Sequence, residues 1–271
     1  LVSSIVHYAL FFEVAALLMF IYTVDEMHPF FIGAMCATGV LNANPVGWYV
    51  LAVKMMLAFL AAVWLVMNRL DLQSEVYPLT RLKYGALLFM LPFVGLDLYL
   101  LIDYFSGLRP EVITSCCGWL FSTGGAGLAS EIAALPPGKM MWIFYCATLV
   151  FGGALLLCRK LQAGATRLIL LVVSILWAVV TMLSIISFIS LYIYEIPTHH
   201  CPFDMFQNHY NYIGYPVFVT MFGAVLYGCL PGLFAGPQRI PSVSGIIFAH
   251  EKKWLAKAFF FLVCFTGITS W

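Results

Sequence analysis

With 271 residues, 63% of them hydrophobic and 9% charged, and a mean hydropathy of +0.98, the chain cannot solvate its own surface in water, where a soluble domain carries about a quarter charged side chains. The net charge of +1 excludes the basic surface that nucleic-acid binding needs. The length leaves room for roughly seven or eight spans of ~20 residues and little else, so the expected fold is an all-α, polytopic transmembrane bundle, one integral membrane domain over 1–271, with the lipid bilayer as its first partner.

Hydropathy predicts seven spans, at about 3–24, 47–69, 83–105, 140–159, 167–194, 212–233 and 254–271. Arg69 ends the second, Cys158-Arg159-Lys160 the fourth, Pro231 and Gly232 break the sixth, and Lys252-Lys253 open the seventh. No internal repeat supports an inverted-repeat transporter. The chain opens on Leu1 directly in apolar sequence, which points to a processed or longer product. One set of loops and flanks holds Arg69, Arg81, Lys83, Arg159, Lys160, Arg167, Arg239, Lys252, Lys253 and Lys257, whereas the other holds only Arg109 and Lys139 beside Asp25, Glu26, Glu111, Glu131, Glu195 and Asp204. The excess of Lys and Arg puts the first set, and the N-terminus, in the cytoplasm.

The three outer loops carry the reactive side chains. After span one, DEMHPFFIGAMCATGVLNANP brings Met27, His28, Met35 and Cys36, and its semi-apolar centre reads as a short re-entrant or interfacial helix. Span three is followed by RPEVITSCCGWLFSTGGAG, with the vicinal pair Cys116 and Cys117. YEIPTHHCPFDMFQNHYNYIGYP, after span five, holds His199, His200, Cys201, Asp204, Met205 and His209. Four of the eight cysteines and four of the six histidines thus fall on one side. The other cysteines, Cys146, Cys158, Cys229 and Cys264, lie in or at the ends of spans, where cysteine packs as a small hydrophobe. His7 and His250 belong to the cytoplasmic interface.

Three chemistries suit the outer set, beside the plain alternative of structural disulfides such as Cys36 to Cys201. Thiol–disulfide exchange would use Cys201, Cys36, Cys116 and Cys117 as thiolates, with a quinone in the bilayer as electron acceptor and His199 and His200 tuning them. Soft-metal binding, of Cu or Zn, would draw on His28, Cys36, Cys116, Cys117, His199, His200 and Cys201, with Met27 and Met205 as thioethers. The third reading is a non-catalytic anchor subunit of a respiratory complex, bound to other membrane subunits and periplasmic redox proteins. It would carry no c-type haem, as Cys-x-x-Cys-His is missing, and no b-type haem, as no histidine pair lies deep in the spans. A permease is the remaining alternative.

Inside the spans, Glu13, Lys54, Asp97 and Asp103 are ionisable residues in hydrocarbon, where such groups face the bundle interior. Lys54 and Asp97 share the outer half of adjacent spans and can pair, either as a structural ion pair or, with Glu13 and Asp103, as a proton path to a quinone or an outward redox site. Trp48, Tyr49, Trp142, Tyr192 and Tyr194 fit interfacial aromatic belts. KAFFFLVCF in the last span reads as a lipid-facing or inter-helix stripe.

Two resemblances accompany these readings. HCPFDMFQNHYNYIGYPVFV, a Cys-Pro at the mouth of a span, resembles over about twenty residues the quinone-linked disulfide oxidoreductases of the DsbB and vitamin K epoxide reductase type. It departs from them where they carry the second cysteine of a Cys-x-x-Cys pair, for Asp204 stands there. MHPFFIGAMCATG, ITSCCG and EIPTHHCPF resemble strings of a family of bacterial multi-spanning membrane proteins from lineages rich in anaerobic electron transfer. That resemblance implies a bacterial inner-membrane location and redox or metal work rather than solute transport, and no more specific activity.

Overall fold

The computed structural model describes residues 2–111, 128–196 and 199–270. In chain order its helices are α1 (Val2–Glu26), α2 (Ala37–Asn42), α3 (Gly47–Asp71), α4 (Thr80–Ser106), α5 (Leu128–Ala133), α6 (Pro137–Leu161), α7 (Gly164–Ser184), α8 (Ser190–Tyr194), α9 (Gly214–Leu233) and α10 (Pro241–Ser270). A π turn, Ile185–Ile189, runs α7 into α8, and 3-10 turns lie at His28–Phe30, Asp204–Phe206, Asn208–Tyr210 and Pro237–Arg239. No strand occurs among the described residues. Among the described residues, seven segments are long and apolar enough to cross a membrane: α1, α3, α4, α6, the α7–α8 run, α9 and α10. The chain is an all-α polytopic membrane protein with lipid as its surroundings.

The last span departs from expectation. It begins at Pro241, not at Lys252-Lys253. Glu251, Lys252 and Lys253 interrupt the apolar run of α10, and the helix starts ten residues before them, where a proline at the first position is pre-set for a helix start. Proline and left-handed residues also set other ends. Pro137 opens α6, which stops at Gln162 with φ 51°, and α8 stops at Glu195 with φ 55°.

The chain divides into two compact units. The first is Leu1–Thr114 with Pro237–Phe248. In it α3 packs against both α1 and α4. At one end of α3, Asp71 is fully enclosed: its Oδ1 accepts from the Leu79 N–H at 2.8 Å and its Oδ2 from Lys83 Nζ at 2.7 Å. Lys83 also donates to Asn68 Oδ1 at 3.1 Å, as does Ser3 Oγ at 2.6 Å. At the other end, Tyr104 OH donates to Val40 O at 3.0 Å, and Asn44 Nδ2 donates to the carbonyls of Asp103 and Tyr104, which ties the α1–α3 loop to α4.

The second unit is Ser115–Gly236 with Ala249–Trp271. Here α7 packs against both α6 and α9, and small residues permit the approach: a Cβ on Gly228 would meet Ser174 Oγ at 2.6 Å, and one on Gly232 would meet Leu171 Cβ at 2.6 Å and Arg167 O at 2.8 Å. Arg167 and Glu251 form a buried two-pronged pair at 2.8 and 2.9 Å that fastens α7 to α10. The KAFFFLVCF stripe splits by face, for Phe260 is exposed whereas Phe265 is fully buried against Phe144 and Trp177.

Gly232→Ala should lower stability by about 1–3 kcal/mol, since the added methyl has backbone on one side of it, whereas Gly153→Ala, with nothing near the new carbon, should be neutral or mildly stabilising. Thermal melts of the detergent-solubilised variants check the contrast.

Candidate functional site

In the first unit, His28 Nδ1 donates to Asp25 O at 2.6 Å, which fixes the tautomer and leaves Nε2 with its lone pair when the ring is neutral. Asp25 Oδ1 in turn accepts from the Ala37 N–H at 3.0 Å, so the residue before it, Cys36, is held at the start of α2 and fully buried. The expected interfacial helix is only the short α2, preceded by a 3-10 turn. Met27 is half-buried and Met35 exposed. Cys116 and Cys117 lie outside the described residues.

In the second unit the loop after α8 is held from two sides. The first anchor is Tyr194. Its hydroxyl donates to Cys201 O at 2.5 Å and accepts from the Met205 N–H at 2.9 Å, which draws residues 201–205 into a closed turn. Tyr194, expected in an interfacial belt, is instead buried against the loop, whereas Tyr49, Trp142 and Tyr192 are exposed. The second anchor is the π turn. Ser190 N–H reaches back five residues to Ile185 O, so it does not occupy Ile186 O as an unbroken α-helix would require. Ile186 O instead accepts from His200 Nδ1 at 2.9 Å and, more weakly, from the Ser190 hydroxyl at 3.3 Å. The buried His200 is therefore the Nδ1–H tautomer, with the Nε2 lone pair available when neutral.

The same turn builds a compact polar group. His199 Nε2 is paired with Asp204 Oδ2. The second oxygen of that carboxylate, Oδ1, is buried without a hydrogen-bond partner. A carboxylate oxygen of Asp204 lies within 4.8 Å of Cys201 Sγ. Cys201 and Met205 are fully buried, and Asp204 nearly so. Burial and the Asp204 charge both push the Tyr210 phenol above its ordinary range, so it stays neutral beside the ring of Tyr194 at 4.6 Å. Gly214 lets α9 begin against this turn, for a Cβ there would lie 2.9 Å from Met205 Cγ and Phe206 Cδ1. Just before it, Asn211 and Tyr212 are both left-handed, at φ 52° and 55°, an arrangement that costs energy for a bulky aromatic residue.

His209 is exposed, its ring tilted against that of Tyr210 at 4.2 Å, while His7 and His250 are half-buried. Of the other cysteines, Cys158 and Cys229 are buried, Cys264 is half-buried and Cys146 is exposed. Among the intramembrane charges of the first unit, Lys54 pairs with Asp97 at 2.9 Å, both buried, and Glu13 interacts electrostatically with both. Asp103 turns outward and is exposed, so it does not join them. Sequence reasoning missed Tyr194 as the loop's anchor, and it missed the π turn, which no residue pattern signals.

Tyr194→Phe removes a buried donor and acceptor together, a loss of about 1–3 kcal/mol. In reduced protein, Cys201 alkylation should then accelerate roughly tenfold or more, as followed by mass spectrometry. An unchanged rate would mean that Tyr194 does not hold the turn closed.

No family model matches the chain, and neither a curated protein nor a solved structure matches it.

Proposed function

We propose that this is a metal-handling membrane protein of the bacterial inner membrane, whose loop after α8 binds a borderline-soft divalent ion of the zinc class on the periplasmic side. The observation that carries the reading is Asp204 Oδ1, a buried carboxylate oxygen with no partner, on a carboxylate within 4.8 Å of Cys201 Sγ. A thiol that can ionise, enclosed beside a carboxylate, is a donor pair that a divalent cation can take, and an unpaired buried acceptor costs about 1–3 kcal/mol. A thiolate with a carboxylate suits Zn(II) better than Cu(I), which prefers sulfur alone.

Each side chain has a role in this reading. Cys201 and Asp204 are ligands through Sγ and a carboxylate oxygen. His200, beside Cys201 in the chain, has its ring oriented by Ile186 O, and its Nε2 is not one of the atoms within 4.8 Å of both Cys201 Sγ and Asp204. His199 orients Asp204 through Oδ2. The thiol–disulfide reading is weaker, because Cys201 is fully buried where a protein disulfide would have to reach it.

The test is metal analysis of the chain purified in mild detergent without chelator, with alkylation mapping on the same sample. About one equivalent of zinc is expected, lost in Cys201→Ser and Asp204→Asn and bound ~10–100-fold more weakly in His199→Gln. Serine replacements at Cys36, Cys116 and Cys117 report whether further thiols take part. A metal-free protein with Cys201 in a disulfide would overturn the proposal in favour of thiol exchange. A metal-free protein that co-purifies stoichiometrically with cytochromes would overturn it in favour of an anchor subunit.

A further inference from the structure

The first unit holds a second group of ionisable side chains, inside the spans and independent of the metal reading. Glu13 lies midway along α1, Lys54 on α3 and Asp97 on α4. Lys54 Nζ donates to Asp97 Oδ2 at 2.9 Å, and the ring of Phe20 stands 5.9 Å from the ammonium. Lys54 and Asp97 are both more than nine-tenths buried. Two oxygens remain without partners: Asp97 Oδ1 and Glu13 Oε1, each buried. Glu13 feels both Lys54 and Asp97.

Charge counting limits what this group can be. One ammonium and two carboxylates sum to −1, in surroundings where a net charge is strongly disfavoured. Asp97 already has its counter-ion, whereas Glu13 is the carboxyl with none. A second cation is a poor solution, because it would sit beside the Lys54 ammonium. A proton costs nothing in that respect, and a carboxylic acid also gains a donor where an orphaned acceptor was.

We propose that Glu13, Lys54 and Asp97 form an intramembrane proton-binding site, with one proton held on Glu13 while Lys54 neutralises Asp97. The site is exchangeable. If Lys54 turns from Asp97 to Glu13, the O–H bond on Glu13 breaks, one forms on Asp97, and the group stays neutral before and after. Glu13 is the residue that touches the bound proton, and Lys54 and Asp97 position it.

Infrared spectra of the whole chain in liposomes at neutral pH test this through the carbonyl stretch of a protonated, buried carboxyl. The wild type should show one such band, shifted in deuterated water. Glu13→Gln, which leaves the Lys54–Asp97 pair intact, should abolish it. Asp97→Asn should abolish it as well, because Lys54 then needs Glu13 as its counter-ion. Lys54→Met should roughly double it, since both carboxyls must then be neutral. Should the last two variants fail to fold, Glu13→Gln alone decides. Absence of the band in the wild type overturns the proposal. So does a band that survives Glu13→Gln, or one that sodium removes at fixed pH where choline does not, which would mark a metal-cation site.

Discussion

A helix in hydrocarbon has no water to satisfy its polar side chains, so each buried charge must find its partner within the protein. The interior of both units is organised by that constraint. Apolar side chains occur on every face of these spans and single out no particular arrangement, since lipid tails compete for them on equal terms. The specific contacts are the few charged ones: Asp71 with Lys83 and Lys54 with Asp97 in the first unit, and Arg167 with Glu251 in the second. Glycines such as Gly228 and Gly232 add to these by letting α9 approach α7 closely.

Counting partners divides these charges into two kinds. Both oxygens of Asp71 are used, by the Leu79 N–H and by Lys83, and both oxygens of Glu251 are used by Arg167. Those groups are complete, and they fasten helices. Asp97, Asp204 and Glu13 each leave an oxygen buried and unpaired. Native structures keep few such atoms, and a bound ion or a proton is among the physical reasons for keeping one. Incomplete satisfaction, more than the mere presence of a charge, separates the candidate sites from the staples.

Much of this fold is legible in the residue order, and less of its chemistry. Seven spans follow from hydropathy because a membrane helix needs about twenty apolar residues in a row. The start of α10 does not, because Glu251, Lys252 and Lys253 interrupt its apolar run, and only the buried bond to Arg167 shows why Glu251 belongs inside. Lys54 and Asp97 could be paired from their depth alone, whereas Asp103, one and two-thirds turns further on, faces outward. The loop histidines and Cys201 were visible as residue types, yet their geometry depends on Tyr194 and on a π turn, where the apolar run IISFI gives no sign of a widened helix.

The two incomplete groups differ in what surrounds the orphaned oxygen, and this decides the ligand each can take. Beside Asp204 stands a thiol able to give an electron pair once deprotonated, while His199 holds the other carboxylate oxygen in place, so a cation gains from both the thiol and the orphaned oxygen. Around Glu13 and Asp97 stands an ammonium, which repels a metal ion but tolerates a neutral acid. The same unpaired carboxylate oxygen is therefore a metal ligand in one setting and a proton carrier in the other. The sign of the nearest fixed charge makes the choice.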